Sequence, residues 1–386
     1  MRIAGRVERM GTEAAFRVFA RARALEAAGK DVIHLEMGEP DFPTPGHVVD
    51  SAVAALRAGH TGYAPAAGLP DLRAAIAREV STSRGIDVGP EQVVVTPGAK
   101  AVIFFTYLAL VEPGDEVMYP DPGFPIFESM ADALGAVKVP YHHGSGSATR
   151  PDLVRIERAL SPRTRLLVLN SPGNPTGVVH RPEEVARIAD LVRGLDLVVL
   201  SDEIYGRILY GPRHVSIATE RGMAGKTVIL DGFSKTWSMT GWRLGWAVAP
   251  PDLAPAYVKL MTNSASCAIN FGQRAALTAI TGSREPTDRM VAAFRERRDA
   301  LVEGLNRVRG VRCDRPEGSF FAFADVRGTG LDATTLSRRL LEEAGVACVE
   351  GPAFGTGGEG FIRFSFAQDV SRIREAVRRM ESLLSA

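Results

Sequence analysis

The chain has 386 residues, of which 45% are hydrophobic and 24% are charged. These values are typical of a globular protein and exclude a disordered or fibrous chain, and the length suggests about two domains. Lys and Arg number 46 against 45 Asp and Glu, so the chain has no basic excess that would favour nucleic acid or anionic lipid as a partner.

The N-terminal region predicts one helix, one short strand and one rigid loop. Residues 12–28 place apolar and basic side chains at helical spacing, and Gly29 follows as a helix-ending glycine. Residues 32–35 are a short β-branched run, within which we expect His34 to be a hydrogen-bonded core histidine. Residues 37–45 contain a glycine and three prolines, which forbid regular structure.

A strand, a tight turn and a helix follow at residues 92–110. The strand is predicted at 92–96, the turn at 97–100 and the helix from Ala101 to Leu110. The N-terminus of a helix offers unpaired N–H groups and a partial positive charge, and the small residues Gly98 and Ala99 let an anion approach the backbone. This turn therefore predicts a phosphate site.

Strands and helices then alternate. Apolar strands are predicted at 116–119, 137–141, 165–169, 195–200 and 227–230, with helices at 125–134, 153–160 and 182–193. Continuous apolar strands separated by helices predict an α/β fold with a mainly parallel sheet covered by helices on both faces. Ligands bind such sheets beyond the carboxyl ends of the strands, so the functional residues should follow strands.

Polar side chains do follow three of these strands. Asn174 comes after the strand at 165–169, Asp202 and Tyr205 come after the next strand, and Ser234 and Lys235 come after the strand at 227–230. Each has an ordinary structural explanation, as a turn residue, a helix cap or a packed ring. Their joint appearance predicts one shared site.

Lys235 is the candidate chemical centre of that site. On residue type alone a solvated surface lysine is the favoured interpretation. In semi-apolar surroundings, however, a lysine lowers its pKa readily and becomes an amine that forms a Schiff base with a carbonyl. The other strand ends reverse the preference in favour of this second interpretation.

Beyond residue 286 the pattern changes to a long Arg- and Glu-rich helix reaching about residue 309, followed by shorter strands and helices, which predicts an α+β domain. Its strand at 360–366 carries Arg363 between apolar neighbours. A buried arginine needs an anionic partner, although an edge position or an internal salt bridge explains it equally well.

The strand-end residues match the needs of an aldehyde cofactor that carries a phosphate, a phenolic oxygen and a pyridine nitrogen, and that acts as an electron sink. Phe124, just after a strand, can stack on the ring. The candidates are Lys235 for the aldehyde, Asp202 for the ring nitrogen, Asn174 and Tyr205 for the phenolic oxygen, and Gly98, Ala99, Ser234 and Arg243 for the phosphate.

Three motifs carry a resemblance to a known family. Residues 170–177 (NSPGNPTG), 201–205 (SDEIY) and 233–243 (FSKTWSMTGWR) resemble, in order and spacing, the class I/II group of fold type I pyridoxal-phosphate-dependent aminotransferases, the aspartate aminotransferase superfamily. The resemblance covers nearly the whole chain. It implies pyridoxal 5'-phosphate as cofactor, a large cofactor-binding α/β domain at 45–284, and a small α+β domain built from 1–44 and 285–386.

The resemblance also implies roles for further residues. Arg363 would bind the α-carboxylate of the substrate, with Gly38 as a backbone contact and Asn174 close by. Tyr63 would contact the phosphate of a neighbouring subunit, which implies a homodimer with shared active sites.

The chain departs from the family pattern at two positions and from the pattern of one subgroup at a third. Gly232 stands where some members have a second phosphate-binding serine, and Phe124 replaces a frequent tyrosine or tryptophan. We place Lys100 at the cofactor site; one aspartate-using subgroup has a lysine there for the distal carboxylate of its substrate, but Ala15 replaces the threonine of that subgroup. The amino donor is therefore open.

The predicted reaction is transfer of an amino group between an α-amino acid and a 2-keto acid by a ping-pong mechanism, with Lys235 as Schiff-base lysine and as general acid and base. The alternative is a lyase or synthase on the same scaffold, since the pocket chooses the fate of the substrate. We expect no metal, because Cys267, Cys313 and Cys348 lack ligand spacing and are predicted to be reduced core residues. The N-terminus and the lack of long apolar runs predict a cytoplasmic protein.

Overall fold

The computed structural model of the chain describes residues 1–142 and 150–385. The helices in this part of the chain are α1 (Gly5–Glu8), α2 (Ala14–Ala27), α3 (Gly46–Arg57), α4 (Pro70–Arg84), α5 (Ala99–Leu110), α6 (Ile126–Leu134), α7 (Leu153–Ala159), α8 (Pro182–Val192), α9 (Phe233–Thr236), α10 (Ala254–Ser264), α11 (Asn270–Thr281), α12 (Glu285–Leu305), α13 (Ala333–Arg339) and α14 (Val370–Ser385). The strands are β1 (Ile33–His34), β2 (Val93–Thr96), β3 (Glu116–Asp121), β4 (Val137–His142), β5 (Thr164–Asn170), β6 (Val198–Asp202), β7 (Thr227–Gly232), β8 (Gly245–Val248), β9 (Arg312–Cys313), β10 (Phe321–Asp325), β11 (Val346–Ala347), β12 (Val349–Glu350) and β13 (Phe361–Ser365).

A seven-stranded sheet forms the centre of the molecule, in the order β2-β8-β7-β6-β5-β3-β4. The pairs from β7 through β6, β5 and β3 to β4 are parallel, whereas β8 runs antiparallel to both of its neighbours. The predicted mainly parallel sheet is confirmed. The antiparallel strand β8 returns the chain from the Lys235 segment to the sheet, beside the start of α5.

The sheet is buried on both faces. Along β5, Leu166 and Val168 pack into one hydrophobic cluster, and Leu167 and Leu169 pack into a second cluster. Because successive side chains of a strand point to opposite faces, a strand covered on both sides must be apolar at every position. This requirement explains the unbroken apolar run of β5.

A smaller, four-stranded antiparallel sheet in the order β12-β13-β10-β9 belongs to the C-terminal region. The N-terminal segment packs with that region, because β1 pairs in parallel with β11. Ala22 and Val32 share a small apolar cluster with Leu341 and Ala347. The first and last parts of the chain thus lie together, beside the central sheet.

Several predicted boundaries were wrong by a few residues. Strand β6 begins at Val198 rather than 195, because Leu195 is held in a turn by its N–H bond to the carbonyl of Val192. Helix α5 begins two residues earlier than predicted, and α12 ends at Leu305 rather than at about 309. The segment that contains Lys235 forms one helical turn directly after β7.

Two single-residue predictions also need correction. Cys267 is half-buried and lies outside the core, although Cys313 and Cys348 are buried and all three thiols are free. His34 is hydrogen-bonded as expected but is half-buried, with Nδ1 at 2.7 Å from Glu36 Oε1 and Nε2 at 3.1 Å from Glu26 Oε1. Its partners are therefore two carboxylates, of which that of Glu36 is fully buried.

Candidate active site

The carboxyl ends of the parallel strands open into a cavity of about 500 Å³. The sequence-predicted residues that line it are Gly38, Ala99, Lys100, Phe124, Asn174, Asp202, Tyr205, Ser234, Lys235, Arg243 and Arg363. Gly98 lies immediately beside the cavity, against Arg243. Tyr63 does not line it and is 89% exposed.

Lys235 lies in the single turn of α9 directly after β7. Its Nζ donates a hydrogen bond to the carbonyl oxygen of Gly38 at 2.5 Å and lies 5.9 Å from the centre of the Phe320 ring. Burial and the positive charges of Arg243 and Arg363, opposed by the negative charge of Glu39, lower the pKa of Lys235 to about 8. About a tenth of the Lys235 side chains are therefore neutral, nucleophilic amines at pH 7.

Asp202 ends strand β6 and is buried. Its Oδ1 accepts a hydrogen bond from the N–H of Ile204 at 3.2 Å, but burial, together with the nearby charge of Asp231, raises the pKa of Asp202 to about 7. A protonated ring nitrogen placed against this carboxylate would keep it ionised. The site therefore suits a pyridinium better than a neutral ligand.

Tyr205 is packed below the cavity by two rings, with Phe320 and Phe321 edge-on at 5.4 and 5.8 Å between centroids. Burial raises the pKa of Tyr205, so its hydroxyl stays protonated and serves as a hydrogen-bond donor. The aromatic packing holds the ring in one orientation.

Arg363 lies on β13 and is 4% exposed. Its guanidinium is sandwiched between Phe321 and Phe354, at 4.3 and 4.7 Å from the ring centres. Nη1 donates to Asn174 Oδ1 at 3.0 Å and Nη2 donates to the carbonyl oxygen of Glu36 at 2.5 Å.

Arg363 has no anionic hydrogen-bond partner among the described residues. None of its partners there is a carboxylate, and its buried Nε has no hydrogen-bond partner in the described part of the chain. Burial lowers its pKa to about 10. A buried cation without a paired anion is costly, which makes Arg363 a receptor for a ligand carboxylate.

The predicted phosphate site is a cradle at the start of α5. Gly98 has φ of +85°, and a Cβ there would lie 2.4 Å from Nη2 of Arg243. A Cβ on Gly245 would lie 2.3 Å from the backbone nitrogen of Ala99. Only glycines allow the helix start, strand β8 and the guanidinium to approach this closely, and together with buried Ser234 they form an anion site.

Phe124 and Lys100 also line the cavity. Lys100 Nζ lies 5.4 Å from the centre of the Phe124 ring and donates directly to Oε1 of Glu13, at the beginning of α2. Glu13 was not predicted from the sequence, because acidic residues are common at the start of a helix, where they compensate the positive end of the helix dipole.

Two further polar groups were missed. Asn170, the last residue of β5, accepts the N–H of Asn174 on its Oδ1 at 2.8 Å and so fixes the Asn174 loop. Behind Asp202, buried Arg84 bridges Glu203 and Asp231 at 3.0 Å each. Asn170 is itself a strand-end residue and was open to prediction on that ground, whereas Arg84 is the last residue of α4 and has no local signal.

The departure at Gly232 has a steric explanation. A Cβ at this position would lie 3.0 Å from the Cα of Gly245 and 3.1 Å from the carbonyl oxygen of Leu244. The contact between β7 and β8 is therefore too tight for a larger residue without adjustment. Ala15 lines the cavity as a methyl group without a hydroxyl.

These residues fit pyridoxal 5'-phosphate. A lysine of lowered pKa, a buried carboxylate, a glycine cradle for phosphate and an unpaired buried arginine supply, in one cavity, the groups that such a cofactor and an amino acid require. The described residues include no cluster of side chains suited to a metal ion and no helix able to cross a membrane. The fold and site define the class of the protein as a pyridoxal-phosphate enzyme.

The chain belongs to the aminotransferase class I and II family, whose sequence model matches residues 30–380. It is 38% identical over 392 residues to the aspartate aminotransferase of Musicola paradisiaca, with all of this chain and 96% of that protein covered. The protein is thus a pyridoxal-phosphate-dependent aminotransferase, and nothing in the comparisons favours a lyase.

Solved structures agree with this assignment. The aspartate aminotransferase of Thermus thermophilus with maleate matches with a TM-score of 0.95 and 37% identity, covering 99% of this chain and 100% of that one. An aromatic aminotransferase of Pyrococcus horikoshii matches with a TM-score of 0.89 and 37% identity, over 92% and 96% of the two chains.

Proposed function

We propose that Lys235 and Arg363 carry the reaction of this aminotransferase, with Arg363 holding the α-carboxylate of the amino acid or keto acid. The observation that supports this proposal is the buried guanidinium of Arg363, which lacks an anionic partner among the described residues and faces the same cavity as the Lys235 amine. Bound pyridoxal 5'-phosphate supplies an electron sink for the substrate Cα and carries the amino group between half-reactions.

In this proposal Lys235 acts twice. As a neutral amine it would hold the cofactor through its aldehyde, and once a donor has taken its place there it would remove the proton from the substrate Cα as general base and deliver it as general acid. Its lowered pKa, about 8, suits both directions of proton transfer. The hydrogen bond to the Gly38 carbonyl holds the amine in place between these steps.

The remaining cavity residues position the cofactor. Asp202 would pair with the ring nitrogen, Asn174 and Tyr205 would donate to the phenolic oxygen, and Phe124 would stack on the ring. The phosphate would lie at the start of α5, held by the residues Gly98, Ala99, Ser234 and Arg243. These roles are supported by position, because all of these residues except Gly98 line the cavity and Gly98 lies against Arg243.

We also propose a homodimer in which Tyr63 reaches the site of the partner subunit. One face of α3 exposes three apolar side chains at spacings of four and three residues, those of Val49, Val53 and Leu56. Exposed Ile269 lies at the start of α11, which packs against α3. An apolar stripe of this kind on a surface helix favours an interface. Tyr63, which follows α3, is itself almost fully exposed in the single chain.

Sedimentation equilibrium tests the dimer. We expect twice the chain mass of 41.4 kDa, and Val53→Glu should shift the protein towards the monomer. Val154→Glu, at an exposed valine of α7, is the matched control. A Val53→Glu protein that sediments like the control would remove the α3 face from the interface.

For the domains, we propose the division into 1–44 with 285–386 and 45–284. The pairing of β1 with β11 supports it, because it joins the N-terminal segment to the C-terminal region.

Substitution of Lys235 by alanine tests the proposed chemistry. The variant should bind the cofactor without a covalent bond, so that borohydride no longer attaches it to the chain, and turnover should nearly vanish. Lys259→Ala, at an exposed lysine of α10, is the control and should behave like the unmodified protein. Near-normal turnover of the Lys235→Ala protein would refute the assignment.

A further inference from the structure

Two side chains that line the cavity, those of Glu13 and Lys100, form an ion pair to which the proposed function gives no role, although Lys100 was predicted at the cofactor site. Glu13, at the N-cap of α2, accepts a hydrogen bond from Lys100 in the first turn of α5, although the two are 87 residues apart. Both side chains line the cavity and both are only partly exposed. The pair is therefore accessible to a ligand in the cavity.

The cations of the cavity are otherwise committed. Among the described residues, four lysine or arginine side chains line it. In the proposed function, Lys235 serves the aldehyde, Arg243 the phosphate and Arg363 the α-carboxylate. Lys100 is the fourth, and its charge is neutralised by Glu13.

Apolar side chains adjoin the pair. Ala15, Phe16 and Ile103 line the cavity near the pair, and the Phe124 ring lies below the Lys100 ammonium. The charge of Glu13 also reaches the groups that bind substrate, since burial lowers the pKa of Arg363 and the carboxylate of Glu13 is among the charges that oppose this shift. A second substrate carboxylate would therefore meet a paired cation, a nearby anion and hydrocarbon.

We propose that Glu13 is a specificity-determining residue, which occupies Lys100, disfavours substrates with a second carboxylate and selects amino acids with uncharged side chains. The inference rests on the proposed function, because it assigns the other three cations to the cofactor and the α-carboxylate. Like charges brought together in a partly buried site repel strongly enough to change partner choice.

Binding of unreactive analogues to the holoenzyme tests the proposal without turnover. Succinate and succinamate have nearly the same shape and differ by one negative charge, so the ratio of their Kd values isolates the effect of that charge. Calorimetry should show tighter binding of succinamate to the unmodified protein. Glu13→Gln should shift the ratio towards succinate by about tenfold or more.

Three variants separate charge from structure. Glu13→Asp keeps the negative charge and should keep the preference for succinamate. Glu157→Gln removes a glutamate from a surface ion pair with Arg187 and should change nothing. In a Glu13→Gln, Lys100→Met double variant the gain for succinate should disappear, because the released cation is gone.

The corresponding reaction test compares aspartate with asparagine as donor in the first half-reaction, followed by the loss of the aldehyde absorbance of the cofactor. Glu13→Gln should raise kcat/KM for aspartate relative to asparagine by a similar factor. If none of a wider panel of donors reacts in any variant, the proposed function fails, while the analogue ratio still decides this inference.

Two results would overturn the proposal. One is a succinate to succinamate ratio that stays within about twofold in Glu13→Gln, while thermal unfolding shows that the variant is folded. The other is a Glu13→Gln effect confined to weaker binding of 5-aminopentanoate, which would make Glu13 a receptor for a cationic side chain.

Discussion

Replacement of Arg363 by lysine keeps the positive charge at this position and removes the planar guanidinium. We expect the variant to bind amino donors and keto acids much more weakly. The cause lies in three features of the site: the two aromatic rings that sandwich the guanidinium, its bonds to Asn174 and Glu36, and the buried Nε that is free for a ligand. An ammonium group is a point charge, which cannot stack between rings or hold a carboxylate with two parallel bonds.

The magnitude follows from the bonds that are lost. A hydrogen bond to a charged group contributes about 1.5–3 kcal/mol, and each 1.4 kcal/mol is a factor of ten. Loss of one of the two bonds to the substrate carboxylate predicts a Kd or KM increase of roughly 10- to 150-fold. Misplacement of the substrate should lower kcat as well, since positioning contributes to the chemical step.

The assay is a titration of donor in the first half-reaction, which gives the apparent Kd and the limiting rate separately. Arg327→Lys is the control, because Arg327 also lies over a ring, that of Phe361 at 5.3 Å, but is exposed and outside the cavity. Donor binding by Arg363→Lys within about twofold of the unmodified protein would refute the reasoning, because it would place the carboxylate elsewhere.

Two further predictions concern the phosphate cradle and pH. Gly98→Ala should lower the free energy of unfolding by about 1–3 kcal/mol, since its backbone conformation is nearly restricted to glycine, and should weaken cofactor binding by displacing Arg243. Denaturant unfolding and cofactor titration check this, with Gly194→Ala, at an open position, as control; equal behaviour of the two variants would contradict it. The hydrogen bond to Glu36 raises the pKa of His34 above 6.5, so its contribution to stability is full below pH 6.5 and is lost as pH rises through the raised pKa. His34→Gln should flatten the pH dependence of unfolding above pH 6.5, and an unchanged curve would remove the histidine from the account.

Much of the fold was open to prediction because its signals are local. The apolar run of β5 and the turn before α5 are short stretches whose residue types favour one conformation. Helix α8 begins with a proline at its first position, another signal confined to neighbouring residues. A predicted strand boundary was wrong where the apolar run is longer than the strand. Leu195 belongs to the apolar run, but a hydrogen bond holds it in a turn before the strand begins.

The candidate site was predictable to the extent that the topology of a parallel sheet collects strand ends. Asp202 and Lys235 follow adjacent strands, so their meeting follows from the order of β6 and β7. Arg363 was identified by a charge in an apolar strand. The two rings that pack against its guanidinium lie on β10 and in the turn after β12, and the packing leaves its Nε without a partner among the described residues. The residue type suggested the role of Arg363, and the packing around its guanidinium supports that role.

The sequence by itself determined the class of chemistry, because the residue types at strand ends are a local property of the chain. Only the tertiary structure decided which charges are free to bind a substrate. Arg363 meets Asn174 across 189 residues and Lys100 meets Glu13 across 87, and no local pattern records either pairing. Ion pairing and burial depend on distance in space, so the selectivity of the site, unlike its chemistry, appears first in the folded chain.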